Sequence, residues 1–277
     1  MKQRSIKKIL NTLNDMLSLR TLKNFGQFLL VILCFHSQNA VASANRSITV
    51  FAEQNMVPAF VKIARLYSQK NHVIVSVNFN SSAELMNDVD SGEPADIFIS
   101  AHSGWIETLK QKGLTDVYNT GHIASDKLVL VASKDNHNIP TELLKGDVSL
   151  EDALKTLDNI NAIIITDQEG NSSGKFSTDL LKSLPLSNLK IFTKLAEDKS
   201  SVLDLTQDNS ESYAILLASQ IKNKPNLQIL ATQKQENIFY QVLVIAGDNM
   251  ETAREFLKFL KSDATKLILR ESGFAVN

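Results

Sequence analysis

Short apolar runs that suit β-strands alternate with helical patterns along most of the chain, and this alternation most constrains the fold. Residues 47–52 are largely β-branched or apolar, and residues 58–69 carry apolar side chains at helical spacing. A strand pattern at 73–79 and a helical pattern at 83–90 follow, and then a nearly uninterrupted apolar strand at 95–100. Such strands are typical of parallel sheets that are covered on both faces. The order predicts an α/β fold with doubly wound sheets.

Two longer strand patterns, at residues 127–133 and 239–246, each follow a complete α/β unit and predict two crossings of the chain between lobes. On this interpretation residues 45–124 and 247–277 form the first lobe, and residues 125–246, which include the crossover strands, form the second. Two doubly wound α/β lobes joined by two crossover strands leave a cleft between them. Clefts between domains are favoured ligand sites.

Residues 1–44 have the composition of a secretory signal peptide. Six basic residues and one acidic residue precede an apolar segment at residues 28–35, and small residues at 42–44 suit cleavage. Eight apolar residues are too few to span a bilayer, which takes about 20. We therefore expect export to the periplasm and a mature chain that begins at Asn45, with Met16 as an alternative start.

Removal of that segment leaves an acidic chain without cysteine. The whole sequence has a formal net charge of −1, and residues 1–44 hold more bases than acids. An acidic chain argues against nucleic acid as a partner. The single cysteine, Cys34, lies in the removed segment, which excludes disulfides, thiolate metal sites and cysteine nucleophiles from the mature chain.

Neither a catalytic motif nor a metal-binding motif stands out. No histidine has a metal-ligand spacing, no serine lies in a nucleophile elbow, and no glycine-rich phosphate loop follows a strand. We expect no catalytic residue, no directly coordinated metal and no cofactor. An enzyme that uses Asp167 and Glu169 of the loop DQEG as a carboxylate pair stays an alternative.

Small polar residues recur where a predicted strand gives way to a helix. The positions are Asn55, the pair Ser81 and Ser82, the pair Ser100 and Ala101, and the segment 171–174. Because the carboxyl ends of parallel strands meet at one edge of a sheet, we expect these positions to converge. Helix N-termini there offer unpaired N–H groups and a positive dipole end, which suits an anion. The alternative is that each serine only caps its own helix, as we expect of Ser81.

Several of these stretches together resemble the periplasmic molybdate-binding proteins of bacterial ABC importers. They are ITVFA at 48–52, FNSSAEL at 79–85, PADIFISA at 94–101 with Trp105, and FLKFL at 256–260 followed by Ser272, Gly273 and Phe274. The resemblance runs from about Ser47 to Phe274. It implies a monomeric, two-lobed periplasmic binding protein whose cleft closes on a tetrahedral oxyanion held by neutral donors. The ligand would then pass to an ABC permease in the inner membrane.

The resemblance also implies a set of ligand-binding residues. They are Asn55, Ser82, Ala101, Ser173, Lys199 (in place of a valine) and Leu217. Ser82 matches a hydroxyl and N–H donor, whereas Ala101 and Ser173 match contacts through the backbone. Asn55 and Leu217 stand where the family has a serine and a tyrosine, so two of three expected side-chain donors differ. Molybdate or tungstate is the first expectation, and another anion or a small organic acid is the alternative.

Overall fold

The computed structural model describes residues 46–194, 201–234 and 238–276, and it describes residues 117–119 by their backbone alone. The strands are β1 (Arg46–Glu53), β2 (Val73–Asn80), β3 (Ile97–Ser100), β4 (Thr115–Asp126), β5 (Leu128–Ser133), β6 (Ile163–Thr166), β7 (Lys190–Thr193), β8 (Ser212–Leu217), β9 (Leu227–Thr232) and β10 (Ile238–Ile245). The helices are α1 (Val57–Asn71), α2 (Ser82–Asp90), α3 (Ser103–Gln111), α4 (Leu150–Asp158), α5 (Ser172–Ser183), α6 (Val202–Asp208), α7 (Ala218–Ile221), α8 (Met250–Leu260) and α9 (Asp263–Glu271). Single 3-10 turns lie at Gln54–Met56 and Leu143–Lys145.

The strands form two sheets with the same internal pattern. The first has the order β2-β1-β3-β10-β4 and the second the order β7-β6-β8-β5-β9. In the first sheet β1 is parallel to β2 and β3, while β10 is antiparallel to β3 and β4. In the second, β6 is parallel to β7 and β8, while β5 is antiparallel to β8 and β9. The predicted architecture of two α/β lobes is confirmed.

We call the first sheet with α1–α3, α8 and α9 the first lobe, and the second sheet with α4–α7 the second lobe. The chain crosses from β4 to β5 and returns from β9 to β10. The predicted lobe boundary at residue 246 does not follow the sheets, because β10 pairs with β3 and β4 in the first lobe. β4 has no counterpart among the predicted strands, since its sequence, TDVYNTGHIASD, lacks apolar alternation.

Both faces of each sheet are covered, as the apolar strands predict. In the first sheet Val50 and Ala52 of β1 pack on one side, and Phe51 packs on the other with Leu85 and Leu109. The same alternation holds in β5 and in β10. In the part of the chain with described coordinates, no helix combines the length and apolar character needed to cross a membrane.

Candidate functional site

The carboxyl ends of the first three strands meet at one edge of the first sheet. Parallel pairing sets Glu53, the last residue of β1, beside Asn80, the last of β2, and sets Ala52 beside Ile99 of β3. Ser82 opens α2 directly after β2, and Ser100 closes β3. The predicted convergence of strand ends therefore occurs, and it brings a glutamate into the group of small polar residues.

The Glu53 carboxylate is the centre of this group. Its Oε1 atom accepts a hydrogen bond from the Ser82 hydroxyl. It also accepts from the Ser100 hydroxyl at 2.6 Å and from the Ala101 N–H at 2.9 Å. The Ser172 hydroxyl of α5 donates to the same atom at 2.6 Å. All four donors are neutral, and Glu53 is only 4% exposed.

The surroundings fix these donors in place. Ser82 and Ser100 are fully buried, and their hydroxyl oxygens lie 2.9 Å apart. The His102 N–H donates to the Ser100 hydroxyl oxygen at 2.8 Å, which leaves the Ser100 proton for Glu53. Burial lowers the pKa of His102, so the ring adds no positive charge to the site at neutral pH.

Glu53 also joins the two lobes. Its partner Ser172 belongs to the second lobe, whereas Ser82, Ser100 and Ala101 belong to the first. A second link lies close by, where the Ala83 N–H of α2 donates to the Gly170 carbonyl at 3.3 Å. The cleft is therefore closed at the point where the two helix N-termini face each other.

A cavity of about 560 Å³ lies next to Glu53 and takes its walls from both lobes. Three of the predicted binding residues, Asn55, Ser173 and Leu217, line it, together with Glu53 itself. Ser82 and Ala101 instead reach Glu53 behind this wall. The remaining predicted residue, Lys199, lies outside the described residues.

Asn55 is held by a tyrosine. Its Nδ2 donates to the hydroxyl of Tyr240, and its Oδ1 is buried without a hydrogen-bond partner. Tyr240 has no exposed surface, and burial raises its pKa well above the usual range, with Asp126 adding to the effect. The phenol therefore stays protonated, and the unpartnered end of the Asn55 amide is its oxygen, which accepts but cannot donate to an anion.

Ser173 also has an unpartnered polar atom at this cavity. The residue is 3% exposed, its hydroxyl oxygen has no hydrogen-bond partner, and it lies on the cavity wall. The next residue, Gly174, explains how α5 comes so close: a Cβ there would overlap the carbonyl oxygen of Gln168. The tight approach of helix and loop requires glycine and places both serines at the cleft.

Leu217 contributes no donor to the cavity. Its N–H donates to Gln220 Oε1 at 2.9 Å within the second lobe, and its side chain is buried. Ser81 is the N-cap of α2, with its oxygen accepting from the Glu84 N–H at 3.2 Å. The prediction that Ser81 caps its helix is confirmed.

The carboxylates of the DQEG loop do not form a pair. Asp167 lines the cavity, and burial raises its pKa, while hydrogen bonds from Asn171 and Gln168 oppose the rise. Glu169 instead lies at the surface, where it pairs with Lys182 at 3.2 Å. The residues that the structure describes contain no cluster of His, Cys, Asp and Glu that could hold a metal ion.

Sequence reasoning missed Glu53 as a site residue. Ser100 and the segment 171–174 were expected to converge at the site, but the ligand contacts were assigned to the neighbouring Ala101 and Ser173 rather than to Ser100 and Ser172. Glu53 carried a signal of its own, because a glutamate directly after the buried run ITVFA is out of place unless it has partners.

Several known proteins are similar to this chain in sequence. A sequence model of the family described as bacterial extracellular solute-binding protein matches residues 48–275. The molybdate-binding protein ModA of Haemophilus influenzae is 29% identical over 241 residues, which cover 84% of this chain and 91% of that protein. The protein of the same name from Escherichia coli is 26% identical over 244 residues, or 86% and 92% of the two chains.

Among solved structures, the tungstate ABC transporter protein from Geobacter sulfurreducens superposes with a TM-score of 0.67. The match covers 83% of this chain and 100% of that chain at 14% identity. Identity at that level shows a shared fold alone.

Proposed function

Because the chain belongs to the family of bacterial extracellular solute-binding proteins, we propose that it captures a small oxyanion, with molybdate and tungstate as the first candidates. The ligand would pass to an ABC permease in the inner membrane. Membership of this family makes the chain a solute-binding protein rather than an enzyme. The two relatives named as molybdate-binding proteins support the choice of molybdate, and tungstate is included because it is a tetrahedral oxyanion of the same charge.

The observation that carries the proposal is the convergence of three hydroxyls and one N–H on a single carboxylate oxygen. A site that holds an anionic oxygen with neutral donors from both lobes has the chemistry that capture of a free oxyanion needs. Neutral donors left unpaired also penalise a ligand of the wrong shape, which gives selectivity without a counter-charge.

The setting of this activity is part of the same proposal. Residues 1–44 act as a signal peptide, and the mature chain from Asn45 works in the periplasm as a monomer. It needs no resident cofactor, and its acidic balance disfavours nucleic acid as a partner.

A small organic acid is the second candidate, and one observation favours it. The group that the donors hold in this structure is itself a carboxylate, and the adjoining cavity of about 560 Å³ exceeds what a tetrahedral anion needs. Lys222 and Lys224 on its wall could contact a further acidic group.

Calorimetry and thermal unfolding of the purified protein test both candidates. Molybdate and tungstate should bind and raise the unfolding temperature, with about 4 kcal/mol of added stability at a thousandfold excess over Kd. Sulfate, phosphate, acetate and lactate serve as the comparison set. Stabilisation by lactate alone would favour the second candidate. Absence of binding to every anion in the set would overturn the proposal.

A further inference from the structure

The Glu53 carboxylate stands where a captured anion would stand. It receives hydrogen bonds from Ser82, Ser100 and Ala101 of the first lobe and from Ser172 of the second. We infer that Glu53 is a tethered internal ligand, which closes the cleft by itself and which an incoming oxyanion must displace. This inference rests on the proposed function and names the residue that sets affinity and selectivity within it.

Glu53 and a free anion compete because the site has a fixed number of hydroxyl protons to donate. Each serine hydroxyl has one proton to donate, and Ser82, Ser100 and Ser172 all direct theirs to Glu53 Oε1. A free anion at the same position would find no donor left and would meet a negative charge. The two anions therefore exclude each other.

Glu53 can close the cleft without an external ligand because its donors belong to both lobes. The link from Ser172 to Glu53 spans the cleft, and the link from Ala83 to Gly170 lies beside it. In a hinged binding protein a ligand shifts the equilibrium only by the difference in its affinity for the open and closed forms. The Glu53 carboxylate reaches donors of both lobes only in the closed form. It therefore stabilises the closed form even when no external ligand is bound.

The cavity gives the displaced side chain a place to go. Glu53 borders the space of about 560 Å³, and Asn55 and Ser173 on the same wall each have a buried polar atom without a partner. A rotated carboxylate could accept from the Ser173 hydroxyl there. Displacement then moves the Glu53 carboxylate from its present donors to the Ser173 hydroxyl on the wall of the adjoining cavity.

An anion can bind only to molecules in which Glu53 has left the donors. Its apparent affinity is therefore its intrinsic affinity multiplied by the fraction of such molecules. An intramolecular group acts at an effective concentration that reaches the millimolar range or more. Anions that bind the donors weakly therefore cannot compete. Only an oxyanion that engages the donors more strongly than a carboxylate does gains entry.

The test measures molybdate binding to the wild-type protein, Glu53→Ala, Glu53→Gln and a control, Glu107→Gln, by calorimetry. Glu107 is an exposed residue of α3 away from the cleft. Glu53→Ala should lower the Kd by about tenfold or more, and Glu53→Gln, which retains an uncharged acceptor, by less. The control should match the wild type. Should Glu53→Ala fail to fold, Glu53→Gln carries the test.

Small-angle scattering without anion adds a second readout. The wild-type protein should be compact, whereas Glu53→Ala should have a larger radius of gyration that returns to the wild-type value with molybdate. An unchanged radius in Glu53→Ala would show that Glu53 does not hold the cleft closed and would overturn the inference.

The outcomes separate the inference from the proposed function. If the wild type binds molybdate and Glu53→Ala binds no tighter, the inference fails and the proposed function stands. If only the Glu53 variants bind, the inference holds and oxyanion capture by the native chain is wrong. If no form binds molybdate, tungstate or any other anion of the set, both fail.

Discussion

Two pairs of adjacent serines face each other across the cleft, and they differ in one respect. Ser82 and Ser172 each occupy the first position of a helix, α2 in the first lobe and α5 in the second, and both donate to the same oxygen of Glu53. The adjacent serines, Ser81 and Ser173, have different roles. Ser81 precedes its helix and caps it, whereas Ser173 lies inside its helix with a buried hydroxyl oxygen that has no partner.

The difference shows where an incoming ligand can gain new contacts. On the first-lobe side the donors around Glu53 already have partners, because Ser81 caps its helix and Ser82, Ser100 and Ala101 donate to Glu53. The unpartnered atom of Asn55 on that side is an oxygen, which can only accept. On the second-lobe side Ser173 still has an unused polar atom beside the cavity. The first lobe thus holds the internal carboxylate, and the second lobe keeps a donor in reserve.

The largest expected effect comes from removing the glycine that brings the second pair to the cleft. Gly174→Ala places a Cβ on the Gln168 carbonyl oxygen, so α5 must shift away from the loop. We expect the free energy of unfolding to fall by about 3 kcal/mol, as in severe overpacking. Urea unfolding measures this loss. Gly247→Ala is the control, since nothing lies within 4 Å of its added Cβ. Equal stability of the two variants would contradict the prediction.

Loss of either first-position serine should have the next largest effect. Ser82→Ala and Ser172→Ala each remove one donor to a carboxylate, which should cost about 1.5–3 kcal/mol of unfolding free energy. The Ser172→Ala variant should in addition open the cleft, because only Ser172 links the second lobe to Glu53 among these donors. Urea unfolding and scattering separate the two effects.

The Glu53→Gln background supplies the control for these serines. There each alanine substitution should cost less, because the acceptor no longer carries a charge. Equal costs in both backgrounds would show that the serines stabilise the protein in some other way. In the wild-type background each alanine substitution should change the free energy of anion binding less than it changes the free energy of unfolding. The reason is that a lost donor weakens the bonds to Glu53 and to the competing anion alike.

The sequence predicts the strands and helices well, but it does not predict all of the pairings between strands in the sheets. Apolar runs such as those of β3 and β8 identify strands locally. The position of β10 between β3 and β4 depends on pairing with residues more than a hundred positions away, which no local pattern contains. This is why the predicted lobe boundary at residue 246 does not follow the sheets.

The candidate site was predicted in part for a related reason. The donors to Glu53 come from residues 29, 47, 48 and 119 positions away in the chain, so its burial follows from tertiary structure alone. The choice between Ser172 and Ser173 depends on where α5 begins, and an error of one residue exchanges their roles. Convergence of strand ends is predictable, whereas the occupant of the site is not.

The cap of the first pair should have a smaller and purely local effect. Ser81→Ala removes the acceptor for the Glu84 N–H and should lower the free energy of unfolding by about 1 kcal/mol. Anion affinity should not change, because the Ser81 hydroxyl forms its hydrogen bonds with Glu84 of its own helix and not with Glu53. Ser149→Ala, which removes the equivalent cap of α4, provides the matched comparison. A loss of molybdate affinity in Ser81→Ala as large as that in Ser82→Ala would refute the division of roles within this pair.

The smallest effect on stability should come from Ser173, and here the two pairs differ most. Since the Ser173 hydroxyl oxygen has no hydrogen-bond partner in this structure, Ser173→Ala breaks no hydrogen bond and should change the free energy of unfolding by no more than about 0.5 kcal/mol. The same substitution should weaken anion binding, because a displaced Glu53 or the anion itself would lose the spare donor on the cavity wall. Urea unfolding and calorimetry on one preparation compare the two quantities directly. If Ser173→Ala lowered stability as much as Ser172→Ala does, its hydroxyl would already have a partner in the ligand-free protein. The second lobe would then have no reserve donor, and the displaced Glu53 carboxylate would find no free hydroxyl in the cavity to accept from.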